Sequence, residues 1–195
     1  MKKTEADDKR AFSELLENEI RRQKIKRELR RSTYNMIRTF VVIAAASVLV
    51  STILISVLKI NKNSMTPTIE EGEIVVAVKR FGVNKGDIVA FYYNNKLLIK
   101  RVIATAGEWV HISEDGTVEV DRVVLDEPYI LEKSLGECDI EMPYQVPDGS
   151  YFVMGDHRST SLDSRLQDIG SISKEQIEGK VVLRIWPLSK LKFLN

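Results

Sequence analysis

Residues 87–103 read Asp-Ile-Val-Ala-Phe-Tyr-Tyr-Asn-Asn-Lys-Leu-Leu-Ile-Lys-Arg-Val-Ile. Two runs of aliphatic and aromatic residues, Asp87–Tyr93 and Leu97–Ile103, are separated by Asn94-Asn95. Asparagine tolerates the left-handed backbone that a tight hairpin demands, so the stretch predicts two strands joined by a turn. The same short pattern recurs on both sides, at Glu73–Val78, Trp109–Ile112, Thr117–Val120, Tyr151–Met154 and Val181–Trp186. Gly, Asn and Asp punctuate it, as at Glu114-Asp115-Gly116, and Ser173–Ile177 reads as one short helical turn. The expectation for residues 61–195 is one mainly β domain.

Side chains alternate along a strand, which puts Lys100 on one face with Leu98 and Val102 and puts Leu97, Ile99, Arg101 and Ile103 on the other. An ammonium among aliphatic neighbours is an unusual occupant. An unperturbed lysine, with a pKa of about 10.4, is useless as a base at neutral pH. Burial can lower that value by two to three, at about 1.4 kcal/mol per unit. A neutral amine can then activate a serine, and upstream a hydroxyl sits in the turn-forming segment Asn63-Ser64-Met65-Thr66-Pro67-Thr68-Ile69. Ser64 and Lys100 are thus the candidate nucleophile and base.

The stretch Gly155-Asp156-His157-Arg158-Ser159-Thr160-Ser161-Leu162-Asp163-Ser164-Arg165 is dense in polar groups. It reads either as a solvated turn or as a folded network in which Asp–Arg pairs hold a hydroxyl in place. A Ser64/His157/Asp triad is a competing arrangement. The other histidine, His111, stands in a strand with no partner nearby in sequence.

Upstream of Ser64 the pattern changes. Thr39 to Leu58 contains no charge, no Gly and no Pro, and about 20 such residues in a helix span about 30 Å, the thickness of a bilayer's hydrocarbon core. The run is too long for the core of a cleavable signal peptide, and its Ala cluster lies inside it, so residues 39–60 read as a retained transmembrane anchor. Residues 1–38 carry 12 Lys/Arg against 7 Asp/Glu and read as a basic arm, either a surface helix or a partly ordered tail. By the positive-inside rule the arm is cytoplasmic and the β domain lies outside. Ser64 is then held close to the membrane, within about 20 Å by the reach of an extended chain.

Residues 39–195 hold 17 Lys/Arg against 21 Asp/Glu, so the folded body lacks the basic excess that nucleic-acid binding requires. The single cysteine, Cys138, excludes an intrachain disulfide, and its acidic neighbours Glu137, Asp139 and Glu141 argue against a reactive thiol. No His/Cys ligand cluster suggests a metal, and no cofactor is expected.

Three stretches together resemble the type I signal peptidases, membrane-anchored Ser/Lys proteases that remove signal peptides from exported preproteins. Ser64-Met65-Thr66-Pro67-Thr68-Ile69 resembles the nucleophile motif, Lys100-Arg101-Val102-Ile103-Ala104 followed by Gly107-Glu108 the lysine motif, and Gly155 to Arg165 the Gly-Asp-Asn-Arg motif. The resemblance implies a signal-peptidase-like β domain behind a single N-terminal transmembrane helix. It makes Ser64 the nucleophile and Lys100 the general base, with Ser161 orienting the lysine amine. Asp163 with Arg165, and Asp156 with Arg101, would brace the site. The implied substrates are preproteins, cut after small residues of the Ala-x-Ala kind. The implied setting is the plasma membrane, with the lipid bilayer and the secretion translocon as further partners. A lysine rather than a histidine base suggests the bacterial type, in its compact Gram-positive-like form.

Two positions depart from the pattern. His157 replaces the commoner Asn, and Lys62 stands two before the nucleophile, where some members carry a Ser that assists the oxyanion hole. Rival readings are a self-cleaving Ser/Lys protease, which the apolar run argues against, and a tethered β domain that is inactive or only binds a partner.

Overall fold

A computed structural model describes residues 2–79 and 82–194, with side chains from Glu19 onward, Ile20 excepted. Its N-terminal unit, residues 1–51, is helical: helix α1 runs over Lys2–Leu54, so the basic arm and the apolar run form one continuous helix. Over its second half the helix is long and apolar enough to cross a membrane, and its apolar side chains, Phe40, Val42, Ile43 and Leu49 among them, are exposed. Its hydroxyls turn inward on the backbone. Thr39 Oγ1 donates to the Asn35 carbonyl and Ser47 Oγ to that of Ile43, each at 2.9 Å, which leaves neither unsatisfied in an apolar surrounding.

The helix stops at Leu54, short of the expected Leu58. Ile55-Ser56-Val57-Leu58-Lys59 is instead a strand, because β-branched and aliphatic residues suit a sheet edge as well as a helix. Apolarity alone cannot mark where one state gives way to the other. Ser64 consequently lies ten residues past the helix, not six.

The second unit, residues 52–195, is built of antiparallel strands. In chain order they are β1 (Ile55–Lys59), β2 (Ile74–Val78), β3 (Ile88–Tyr93), β4 (Lys96–Thr105), β5 (Trp109–Ile112) and β6 (Val118–Val120). There follow β7 (Val123–Val124), β8 (Tyr144–Gln145), β9 (Ser150–Met154), β10 (Ile172–Ser173), β11 (Ile177–Trp186) and β12 (Lys192–Phe193). The larger sheet has the order β1-β2-β11-β3-β4-β9-β10 with β12 beside β11, and the smaller has β7-β6-β5-β8. The protein is mainly β, as the alternation predicts. The β3–β4 hairpin turns at Asn94 and Asn95, both at positive φ (47° and 59°), the geometry that matches strand twist. Lys174–Gln176 is a single 3-10 turn where a helical turn was expected. The two-residue strands β7, β8, β10 and β12 are too short to leave a sequence pattern.

Strand β4 positions the site. Leu97 and Ile99 pack with Met65, Ile69, Ile88 and Ala90, while Leu98 and Val102 pack with Val89 and Phe91, as alternation requires. Past Val102 the alternation breaks. Arg101 faces Met154 and Val102 faces Val153, but Phe152 faces Ala104, so Ile103 is an extra residue in a bulge. Ile103 and Ala104 therefore both enter the core under the small sheet, and Ile103 does not share the face of Leu97 and Ile99. The strand also changes neighbours along its length. Residues 96–101 pair with β3 and residues 101–105 with β9, so among the described residues Lys96 to Lys100 have a sheet partner on one side only.

Candidate active site

Ser64 sits on a turn anchored by two buried side chains just past it. Met65 and Ile69 lie in the core with Val75, Ala77 and Ile88, and the Ile69 N–H donates to the Met65 carbonyl at 2.9 Å. Burying these two side chains fixes the turn and holds the serine at its surface. The Ser64 N–H has no acceptor among the described residues, so it is available to an incoming oxygen.

Lys100 reaches Ser64 directly, with its Nζ 2.7 Å from Ser64 Oγ. The residue is 2% exposed and lies across from the buried Val89 on β3. Burial is the main reason its pKa is pushed down from 10.5 to about 8. The cations of Lys62 and Arg165 act in the same direction, and Asp163 and Asp156 oppose it. The consequence is large. At pH 7.5 about a quarter of such amines are neutral, against about one in a thousand at the ordinary value.

The Gly155–Arg165 loop is a folded network, not a solvated turn. Its His157 N–H donates to the Ser64 carbonyl at 3.1 Å, tying the loop to the backbone of Ser64. Gly155 fits between them with no room to spare: a Cβ there would collide with the Ser64 carbonyl oxygen and with Ser161 Oγ. Asp163, fully buried, accepts the Gly155 N–H at 3.0 Å and a fork from Arg165 Nε and Nη2 at 2.8 and 2.9 Å. Arg165 spends its remaining donors on the carbonyls of Leu135, Arg158 and Ser161. Asp156 accepts a second fork from Arg101 Nε and Nη2 at 2.9 and 2.7 Å. Arg101 also donates to the Gly86 carbonyl at 2.8 Å and stacks 4.0 Å over the Tyr129 ring. Buried charges are tolerable only when every donor is satisfied in this way.

The structure thus brings together Ser64, Lys100, Asp156, Asp163, Arg165 and Arg101. It does not link Ser161 to the lysine: that hydroxyl is buried beside Gly155 with no hydrogen-bond partner among the described residues. Nor does it build the triad. His157 contributes its backbone, and its Nδ1 has no partner among the described residues, while His111 stands in the small sheet. The Cys138 thiol pKa is raised chiefly by burial, with Asp139 and Asp163 adding to it, so the acidic neighbourhood is the lesser cause.

Three supporting residues, Thr68, Glu127 and Tyr129, have no role that the sequence pattern assigns, and Arg158 of the loop gains its partner only from the fold. Thr68 Oγ1, four residues past Ser64, donates to Asp156 and binds the Ser64 turn to the Arg101 fork. Arg158 makes a fork of its own with Glu127, at 3.0 and 2.5 Å, and Tyr129 donates to the same carboxylate at 2.9 Å. The Glu127-Pro128-Tyr129 stretch carries no pattern that marks it, since its value comes from a loop that folds back from afar. Beside Ser64 runs a groove of about 290 Å³, lined by Lys59 to Lys62 on one side and Lys96 to Ile99 on the other. Among the described residues no group of His, Cys, Asp and Glu could hold a metal ion.

Residues 33–186 match the family model described as signal peptidase, peptidase S26. Signal peptidase IB of Staphylococcus aureus (strain MRSA252) is 37% identical over 155 residues, covering 69% of this chain and 79% of that protein. Thylakoidal processing peptidase 1, chloroplastic, of Arabidopsis thaliana is 36% identical over 149 residues, covering 68% of this chain and 42% of that one. Among solved structures, a signal peptidase I from Enterococcus faecalis V583 is 29% identical and covers 51% of this chain and 97% of its own, with a TM-score of 0.42.

Proposed function

This chain belongs to the signal peptidase family, peptidase S26, and is a serine endopeptidase; from that premise we propose that Ser64 and Lys100 are its catalytic dyad. The observation that carries the reading is the 2.7 Å approach of a buried lysine amine to the serine hydroxyl. Neutral Lys100 takes the Ser64 proton as Oγ attacks the scissile carbonyl, and negative charge gathers on that carbonyl's oxygen. The Ser64 N–H is one donor to that oxygen, and such a donor can be worth about 3–4 kcal/mol. The protonated amine then gives its proton to the departing nitrogen, leaving an ester on Ser64. Lys100 next accepts a proton from water, whose oxygen attacks the ester; the bond to Ser64 Oγ breaks, Lys100 returns the proton to that oxygen, and the new carboxyl terminus is freed.

The groove favours an extended substrate. The open edge of β4 from Lys96 to Lys100 offers backbone groups to a strand laid beside it, and Ile60, Leu97, Leu98 and Ile99 supply an apolar lining that suits small side chains of the Ala-x-Ala kind. Asp163–Arg165 and Asp156–Arg101 brace the dyad, and Ser161 serves as a positioning residue for the amine. The apolar part of α1 anchors the enzyme as a single span of the plasma membrane. The arm is cytoplasmic, the β domain is extracytoplasmic, and the substrates are preproteins arriving through the bilayer from the translocon.

The test is cleavage of a preprotein by the full chain in detergent, with the cut located by mass spectrometry. Wild type should cut after a small residue, and Ser64→Ala and Lys100→Met should not cut while keeping the wild-type circular dichroism. Undiminished cleavage by either variant would remove the dyad.

A further inference from the structure

We propose that the groove beside Ser64 reads charge as well as size, and that Lys59, Lys62 and Lys96 select substrates carrying Asp or Glu within about four residues of the cleaved bond. The inference rests on the endopeptidase reading. All three lysines line the groove beside Ser64, and among the described residues no carboxylate lines it. All three are exposed, and none has a salt-bridge partner among the described residues. Four other lysines of the domain are paired: Lys79 meets Glu178, Lys85 meets Glu108, Lys180 meets Asp87 and Lys190 meets Glu70, at 2.5–2.8 Å. Lys133, Lys174 and Lys192 also lack a carboxylate partner among the described residues, but Lys59, Lys62 and Lys96 differ in standing together around one groove, beside Ser64.

Geometry sets which substrate positions are read. The four residues Lys96 to Ile99 span about 13 Å, enough to flank about four residues of an extended peptide. Alternate side chains of that peptide face the apolar floor, where small ones fit, and the others face the rim, where the ammonium groups stand. Acidic residues at these outward positions complement the rim, and basic ones oppose it. Lys62 also acts through space on the base, because its charge disfavours protonation of Lys100. A substrate carboxylate beside Lys62 would weaken that effect, so the selectivity should appear more in KM than in kcat. An anionic headgroup in the same place would occupy the space of the peptide, which makes the substrate the better-fitting ligand.

The test uses the full chain in a nonionic detergent without lipid, and peptides with one cleavable bond that differ only by Asp, Asn or Lys at each of the four positions on either side of it. The Asp peptide should exceed its Asn counterpart by about fivefold in kcat/KM at an outward position in low salt, and the Lys peptide should fall below it. The preference should shrink toward one at high salt, where screening is strong. In the Lys59→Gln/Lys62→Gln/Lys96→Gln variant the Asp-to-Asn ratio should approach one. A ratio near one in the wild type at every position overturns the proposal while leaving the endopeptidase reading intact, and so does a ratio unchanged in the triple variant. Failure of the wild type to cut any of the peptides overturns both.

Discussion

Two sets of cations flank Ser64, and they behave in opposite ways. On one side Arg101, Arg158 and Arg165 are buried, and each is clasped by a carboxylate in a two-point fork. On the other side Lys59, Lys62 and Lys96 stand exposed around the groove with no carboxylate in reach among the described residues. Lys100 lies between them, buried like the arginines but unpaired like the rim lysines. The contrast teaches that a cation's role here follows from burial and partnership together. Guanidinium keeps its charge wherever it goes, so it can serve as a strut, whereas a desolvated amine gives up its proton and becomes a base.

The sharpest way to break this comparison is to put a strut where the proposed base stands. Lys100→Arg preserves a cation but not one that can lose its proton, and preprotein cleavage should fall by about a thousandfold or more. Conversely, Asp163→Ala removes one carboxylate from the frame and leaves Arg165 buried without its fork. Stability should drop by about 3–5 kcal/mol in denaturant titration, with activity lost alongside. Gly155→Ala tests whether the frame sets the position of the nucleophile. The added methyl collides with the Ser64 carbonyl and must displace it, so kcat should fall about a hundredfold in steady-state kinetics.

The two sides also meet in the pH profile. In the proposed dyad only neutral Lys100 acts as the base, so kcat/KM should climb with pH and level off above about 8, rising about fiftyfold between pH 6 and pH 8. Removing the rim charge with Lys62→Gln takes away one influence that lowers the amine's pKa, so the midpoint of that climb should move to higher pH. The smallest expected effect on stability is that of Ser161→Ala. Its hydroxyl makes no hydrogen bond among the described residues, so the melting temperature should barely change, and a fall in kcat would then report on orientation of the lysine.

Much of this arrangement can be read from the sequence, for reasons that differ from part to part. The hairpin at Asn94-Asn95 and the lysine among aliphatic residues follow from local rules, because turn conformation and alternation depend on near neighbours. The end of α1 does not, since Ile55 to Leu58 suits a helix or a strand and only its pairing with β2 decides. The bulge at Ile103 is equally invisible, being a mismatch between β4 and β9 that neither strand reveals alone. At the site, residues close together in motifs were legible, and Thr68, Glu127 and Tyr129 were not. Their roles arise when distant loops fold back on Asp156, Arg158 and Arg101, and no spacing announces it.

The half-open strand β4 has a consequence for the company the protein keeps. A row of unpaired backbone groups beside an apolar groove is a template for self-association, because the same edge in another copy could bind it. Two copies meeting there would bring two sets of rim lysines face to face. Like-charge repulsion would oppose that pairing in dilute salt, so the lysines would guard this edge against a second copy of the chain.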